Sequence, residues 1–331
     1  MLTKLKKPVQ FYVKSILLAL TLLALSQSQS SARHTGPLGT PVAQNYDGIG
    51  NVSSRQTSLS TDTLAWDGLG RLVGDSRRDA GNNGFNWSAV YDGLGRRLQT
   101  TKQTVTGGTG GATLTLQSSY DPDVEFLELG VTVVGTGRDW LVHGPDLNGV
   151  YGGLEGTGGL DAVYNAATGT TTGIVSNLYG HTEATVAAGN VITWNSVHTG
   201  GYGPLPGYTP IAIDASHDLT TALAWRGKYV DATGYYCLGT RYYDPVSGTF
   251  LSCDPLGHDA SMDLYSFCNG DPVNRFDADG RFGSQAMDNY AKGYNLDGAV
   301  ARAFTDTLQM LRSARAILIL PMLPGCSTRA R

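Results

Sequence analysis

The chain is poor in charge. Only 16% of its 331 residues are charged, and 24 Lys and Arg face 28 Asp and Glu, for a net charge of −4. That balance supplies no basic field for phosphates and gives no electrostatic case for nucleic-acid binding. Cysteine is scarce. Cys237, Cys253, Cys268 and Cys326 include no Cys-x-x-Cys pair, so the zinc-site spacing is missing. His34, His143, His181, His198, His217 and His258 are scattered without metal-ligand spacing. There is no Gly-x-Ser-x-Gly elbow and no phosphate loop, which removes two common enzyme machineries. No cofactor and no metal is implied. Long apolar runs are also missing. The run at residues 16–25 is short of the roughly 20 residues that a membrane span needs.

What is present points to strands and turns. Glycine occurs 44 times in 331 residues, well above the average of about 7%. Thr, Val and Tyr fill much of the remainder. Such a mixture predicts an all-β chain of short strands joined by glycine turns. The N-terminus reads differently: Lys4, Lys6, Lys7 and Lys14 precede or flank the apolar run, and small polar residues follow to Ala32. Residues 1–32 are therefore expected to be a secretory signal peptide, or an N-terminal anchor if uncleaved. Residues 33–45 read as a polar linker.

A repeat then begins. "NYDGIGNVSS", "AWDGLGRLVG" and "VYDGLGRRLQ" place an aromatic at Tyr46, Trp66 and Tyr91, each followed by Asp-Gly, an aliphatic and a second Gly. In one unit the aromatic closes a strand and packs on one face. The Asp caps the N–H groups of the turn, and the second Gly supplies a positive φ at the turn exit. A single hairpin cannot bury its own face, so neighbouring units must stack.

Residues 46–222 read as this repeat region, loosening after residue 101, and residues 223–257 are densest in strands and turns. After Gly280 the composition shifts towards Ala, Leu, Met and Arg. Val300, Ala303, Phe304, Leu308 and Leu311 recur at helical intervals, predicting a helix over 297–318 in a tail spanning 282–331. Cys253 lies inside the dense segment and Cys268 just beyond it. They are able to pair in an exported chain, although free, half-buried thiols in strands are the leading reading.

The run "GYYCLGTRYYDPVSGTFLSCDPLGHDASMDLYSFCNGDPVNRFDADGR" carries Arg-Tyr-Tyr-Asp-Pro, Gly-x-Phe-Leu-Ser-x-Asp-Pro-x-Gly and Asp-Pro-Val-Asn-Arg-Phe-Asp in order. With the Tyr-Asp repeats before it, the chain resembles YD-repeat proteins, and residues 223–281 look like the RHS repeat-associated core domain. The resemblance implies a β-hairpin shell segment (46–222), a core plug (223–281) and a variable C-terminal tail (282–331). In that family the shell encloses a C-terminal polypeptide, and in many members the core cuts the chain just after itself with aspartates.

Residue by residue, the resemblance puts Asp254 and Asp277 in the two aspartate positions and Arg241 in a supporting position, with a cut near Arg281. Two close carboxylates do not both ionise easily, so one can activate water while the other donates a proton. The second turn departs from the pattern. Ala278 stands for a proline and Arg281 for a leucine, and a guanidinium in a leucine pocket is expected to be penalised. Asp277-Ala278-Asp279-Gly280 also resembles the start of a calcium loop but lacks EF-hand spacing. Three clear repeats are too few to close a shell.

The leading expectation is thus an exported or cell-surface bacterial-type protein with a structural or interaction role. Its partners would be protein or carbohydrate surfaces, and any membrane contact would run only through an uncleaved N-terminus. In this reading the two aspartates are turn caps. The alternatives are a self-cleaving aspartic-type carrier of a C-terminal effector, and a truncated remnant of a larger RHS toxin.

Overall fold

A computed structural model of the chain describes residues 31–37, 39–145, 151, 159–177, 179–216, 218–259 and 261–281. Nearly all of the signal segment, the predicted helix at 297–318, the tail 282–331 and Cys326 lie outside the described residues. So does His217.

Fourteen strands form one antiparallel sheet in strict sequence order. They are β1 (Ser31–Thr35), β2 (Pro41–Tyr46), β3 (Val52–Gln56), β4 (Thr61–Trp66), β5 (Leu72–Arg78), β6 (Gly84–Tyr91) and β7 (Arg97–Thr106). Then come β8 (Thr109–Tyr120), β9 (Glu128–Val133), β10 (Gly137–His143), β11 (Leu160–Asn165), β12 (Thr170–Ser176), β13 (Thr182–Ala187) and β14 (Val191–Trp194). Shorter pieces follow: β15 (Thr199–Gly200), β16 (Gly203–Pro204), α1 (Leu219–Ala222), β17 (Leu223–Trp225), β18 (Lys228–Tyr229), β19 (Tyr236–Leu238), β20 (Arg241–Asp244) and β21 (Thr249–Phe250). The chain is mostly β, as its composition predicts. The described residues all belong to one compact unit.

The repeat has a mechanical explanation at each copy. Oδ1 of Asp47 accepts the N–H groups of Ile49 and Asn51, Asp67 those of Leu69 and Arg71, and Asp92 those of Leu94 and Arg96. Gly50, Gly70 and Gly95 then leave the turn at φ of 90°, 73° and 83°, a region glycine enters without Cβ strain. The strand ladder slips at Tyr46, Trp66 and Tyr91, so each aromatic sits at a bulge that re-aims its side chain.

The aromatics also tie successive copies together. Trp66 Nε1 donates to Val52 O at 2.8 Å, and Tyr91 Oη donates to Leu72 O at 2.6 Å. Tyr120 does the same to Arg97 O at 3.0 Å, which makes Tyr120-Asp121 a further copy that the loosened sequence pattern hid. In each case the acceptor is the first residue of the strand leaving the preceding repeat.

Residues 33–45 are not a linker. They span most of β1 and β2, paired from Ser31↔Asn45 to Thr35↔Pro41. The stretch is polar on average, but β2 alternates: Val42 and Gln44 are both 1% exposed, while Pro41 faces solvent. Composition averaged over the segment concealed that period of two.

The buried face of the sheet is covered by residues 219–251. Val52, Leu64, Leu72, Phe85 and Trp87 pack with Tyr235, Tyr242 and Leu251, while Val131, Val133, Val163 and Ile174 pack with Leu219, Leu223 and Tyr229. An aromatic centre of Trp225, Tyr236, Tyr243, Phe250, Phe267 and Phe276 holds the covering segment together.

Buried ion pairs cross the same boundary. Arg55 of β3 grips Asp244 of β20 at 2.6 and 3.1 Å and also binds Asp62 at 3.1 Å, while Arg97 of β7 binds Asp231 and the hydroxyls of Tyr242 and Tyr229. Desolvation offsets much of the attraction in such buried pairs, but removing one partner leaves an uncompensated buried charge.

The Cys253–Cys268 pairing is contradicted. Both are free thiols, as is Cys237. Cys253 Sγ lies 3.2 Å from Tyr265 Oη beside Gly50, whereas Cys268 is buried in the aromatic centre with Sγ 3.4 Å from Arg275 O. The two sulfurs belong to different surroundings.

Candidate functional site

Arg241, Asp254 and Asp277 are distant in sequence and meet in the fold. Strands β19 and β20 pair with Leu238 opposite Arg241, leaving Gly239 and Thr240 as a two-residue turn. Gly239 holds φ at 56°, and an added Cβ there would lie 2.4 Å from Asp279 O. The position therefore requires glycine, both for its φ and for the close approach of two backbones. Arg241 begins β20 and is 3% exposed, with its guanidinium carbon 3.6 Å from the centre of the Phe250 ring.

Each aspartate divides its two oxygens between two tasks. Asp254 Oδ1 accepts Leu256 N–H at 2.9 Å and Asp277 Oδ1 accepts Arg281 N–H at 3.1 Å, which are turn caps. Their Oδ2 atoms both turn to Arg241 Nη2, at 2.7 Å for Asp254 and 3.1 Å for Asp277. One guanidinium nitrogen thus bridges two carboxylates in a buried setting. Burial pushes the Asp277 carboxyl up to about 6 against the pull of Arg241, and Asp279 and Asp254 push it the same way. Burial lowers the Arg241 guanidinium from its ordinary value, while Asp277 and Asp254 hold it up.

The peptide bond between Gly280 and Arg281 runs beside this pair and is held at both ends. Its carbonyl oxygen receives Arg241 Nε at 2.5 Å and Thr240 Oγ1 at 3.0 Å. Its N–H reaches Asp277 Oδ1 at 3.1 Å and Asp279 Oδ1 at 3.0 Å. The donors on the oxygen polarise the carbonyl, and at the nitrogen the two carboxyl oxygens accept the N–H.

The Arg281 side chain does not enter a leucine-shaped pocket. Its guanidinium turns outward to Glu125, at 2.6 and 3.0 Å, over the ring of Phe126. Ala278 fills the proline position as part of the aromatic centre.

Thr240 and the Gly280 carbonyl escaped sequence reasoning, although Thr240 directly precedes Arg241. The anchors Asp231 and Asp244 escaped it too, despite lying in "VDATG" and "RYYDP". Among the described residues no group of His, Cys, Asp and Glu is assembled that could hold a metal, and no helix is long and apolar enough to cross a membrane.

Part of the chain is similar to known toxin subunits. Toxin subunit YenC2 of Yersinia entomophaga is 38% identical over 76 residues, which is 22% of this chain and 8% of that protein. Toxin subunit YenC1 of the same organism is 41% identical over 59 residues, 18% of this chain and 6% of that protein. The matched stretches thus span less than a tenth of these relatives. No family model matches the chain. Among solved structures, crystal structures of TcdB2-TccC3-TEV and TcdB2-TccC3-Cdc42 align at TM-scores of 0.45 and 0.46 and 18% identity, covering 77% of this chain and 14% of each of those.

Proposed function

We propose that this chain is an exported component of toxin-complex type, a YD-repeat β-shell segment whose core (223–281) cuts its own backbone between Gly280 and Arg281. The residues after the cut are then a separable polypeptide. One observation carries this reading: two carboxylates share Arg241 Nη2 beside a peptide bond that is held at both its oxygen and its nitrogen. Asp277, next to the leaving nitrogen and with its carboxyl pushed up to about 6, is the acid. Asp254 is the base that activates water. The partners proposed are other protein subunits, in keeping with the relatives named as toxin subunits, and export is proposed from the basic-then-apolar segment 1–32.

A structural plug is the second reading, favoured by the turn-capping bonds to Oδ1 of each aspartate. Intact-mass analysis of the full chain separates the two. Self-cutting gives a wild type split after Gly280 and whole Asp254→Asn and Asp277→Asn variants. Three whole chains leave the plug.

A further inference from the structure

We infer that Thr240 is a catalytic residue of the self-cutting reaction, its hydroxyl completing with Arg241 Nε a two-donor cradle for the Gly280 carbonyl oxygen; this rests on the self-cleavage reading above. The geometry is specific. Thr240 sits in the two-residue turn between β19 and β20, and its N–H donates to Asp279 O at 2.9 Å. Its Oγ1 lies 3.0 Å from both Asp279 O and Gly280 O. A hydroxyl has one proton to give. That proton serves one of the two carbonyls at a time, and in the proposed cradle it goes to Gly280 O, whose second lone pair already takes Arg241 Nε–H.

The fold brings these groups together at a steric cost that only glycine avoids. A Cβ on Gly280, at φ of 72°, would lie 2.5 Å from Leu238 O and 2.9 Å from Arg241 N. Gly239 and Gly280 together let the hairpin turn press against the scissile turn. Arg241 is fixed on its other side by Asp254, Asp277 and Leu264 O, so its Nε is aimed without freedom to swing.

The step balances with water alone. The oxygen of water bonds to the Gly280 carbonyl carbon as Asp254 takes a water proton. The carbonyl π pair moves onto the oxygen, where Thr240 Oγ1–H and Arg241 Nε–H stabilise the charge. The intermediate collapses, the C–N bond breaks and the Asp277 carboxyl proton passes to the Arg281 nitrogen. Gly280 leaves as a carboxylic acid that returns its proton to the Asp277 carboxylate as it ionises, and Arg281 leaves as an amine that takes up the proton held by Asp254. A donor already in position at this oxygen costs no reorganisation when the charge develops.

The test follows the full chain in a cell-free translation with pulse labelling, reading conversion to two fragments by gel and intact mass. Thr240→Val is expected to slow the cut by about 10²–10³-fold, the usual effect of losing one such donor, with the same pH dependence as wild type. Thr240→Ser is expected to restore it. Where valine disturbs the turn, as a shifted melting curve reveals, Thr240→Cys keeps the size with a weaker donor and is expected to slow the cut as well. If Thr240→Val or Thr240→Cys cuts within about twofold of wild type while Asp254→Asn and Asp277→Asn stay whole, the cradle is wrong and the dyad stands. If the wild type stays whole, or the Asp variants still cut, the self-cleavage reading falls and the cradle falls with it.

Discussion

Asp254 and Asp277, 23 residues apart in the chain, place their Oδ2 atoms on one nitrogen, Arg241 Nη2, at 2.7 and 3.1 Å. That shared donor lets two carboxylates sit close in a buried site. It also makes Arg241 the residue whose loss costs most there. Arg241→Met is expected to lower unfolding free energy by about 3–5 kcal/mol, since it leaves both carboxylates without their cation. Asp277→Asn keeps a hydrogen-bonding group and costs less. Urea denaturation at pH 7 orders the variants; equal midpoints for the two would contradict the shared-donor arrangement.

The titration of Asp277 has a definite sign. Its folded carboxyl is pushed up to about 6, above the roughly 3.9 of an unfolded aspartate. The folded chain therefore holds more protons between these values, and stability falls as pH rises through the window. The proposed cut needs the same proton on Asp277, so its rate is expected to fall as pH rises through about 6. A pH–rate profile and denaturant midpoints across pH 4–7 check both.

Asp75 behaves likewise over a wider range. It is 3% exposed, neither carboxylate oxygen has a hydrogen-bond partner, and burial with nearby Asp62 pushes it up to about 8. The native chain thus keeps this proton while the unfolded chain has lost it, and stability falls as pH rises from about 4 to about 8. Asp75→Asn is expected to flatten the upper part of that decline. Midpoints at pH 6 and 8.5 for both proteins test it; an unchanged decline would reject the assignment.

The stitching between repeats is measurable at Tyr91. Its hydroxyl donates to Leu72 O at 2.6 Å and also meets the Tyr242 side chain, and Tyr91→Phe removes the hydroxyl while keeping the ring. A loss of about 0.5–1.5 kcal/mol is expected in urea unfolding. No loss would mean the ring's packing, and not the hydroxyl, joins the repeats.

Arg281 is expected to matter little to the cut. Its guanidinium pairs outside with Glu125, with side chains 33% and 49% exposed, and such pairs contribute about 0.2–1 kcal/mol. Arg281→Ala should cut within several-fold of wild type. A collapse of the rate would show that the side chain positions the bond.

The chain's β character, its turn chemistry and the spacing of its repeats were legible in the sequence because they are local. An Asp capping two N–H groups and a Gly at positive φ act within five residues, so the letters at Asp47 to Asn51 already state the geometry. The candidate triad was legible only by resemblance, since nothing local joins Asp254 to Asp277. The polar average of 33–45 hid the alternation of β2, which becomes decisive only when a neighbouring strand is present to pair. The sequence alone therefore determined the strands' turns and the residue types of the site. Tertiary structure alone decided that Arg55 meets Asp244, that Arg281 faces outward, that Cys253 and Cys268 stay apart, and that Thr240 touches Gly280. Each of these depends on packing between segments far apart in the chain, where burial and charge, not neighbouring residues, select the partner.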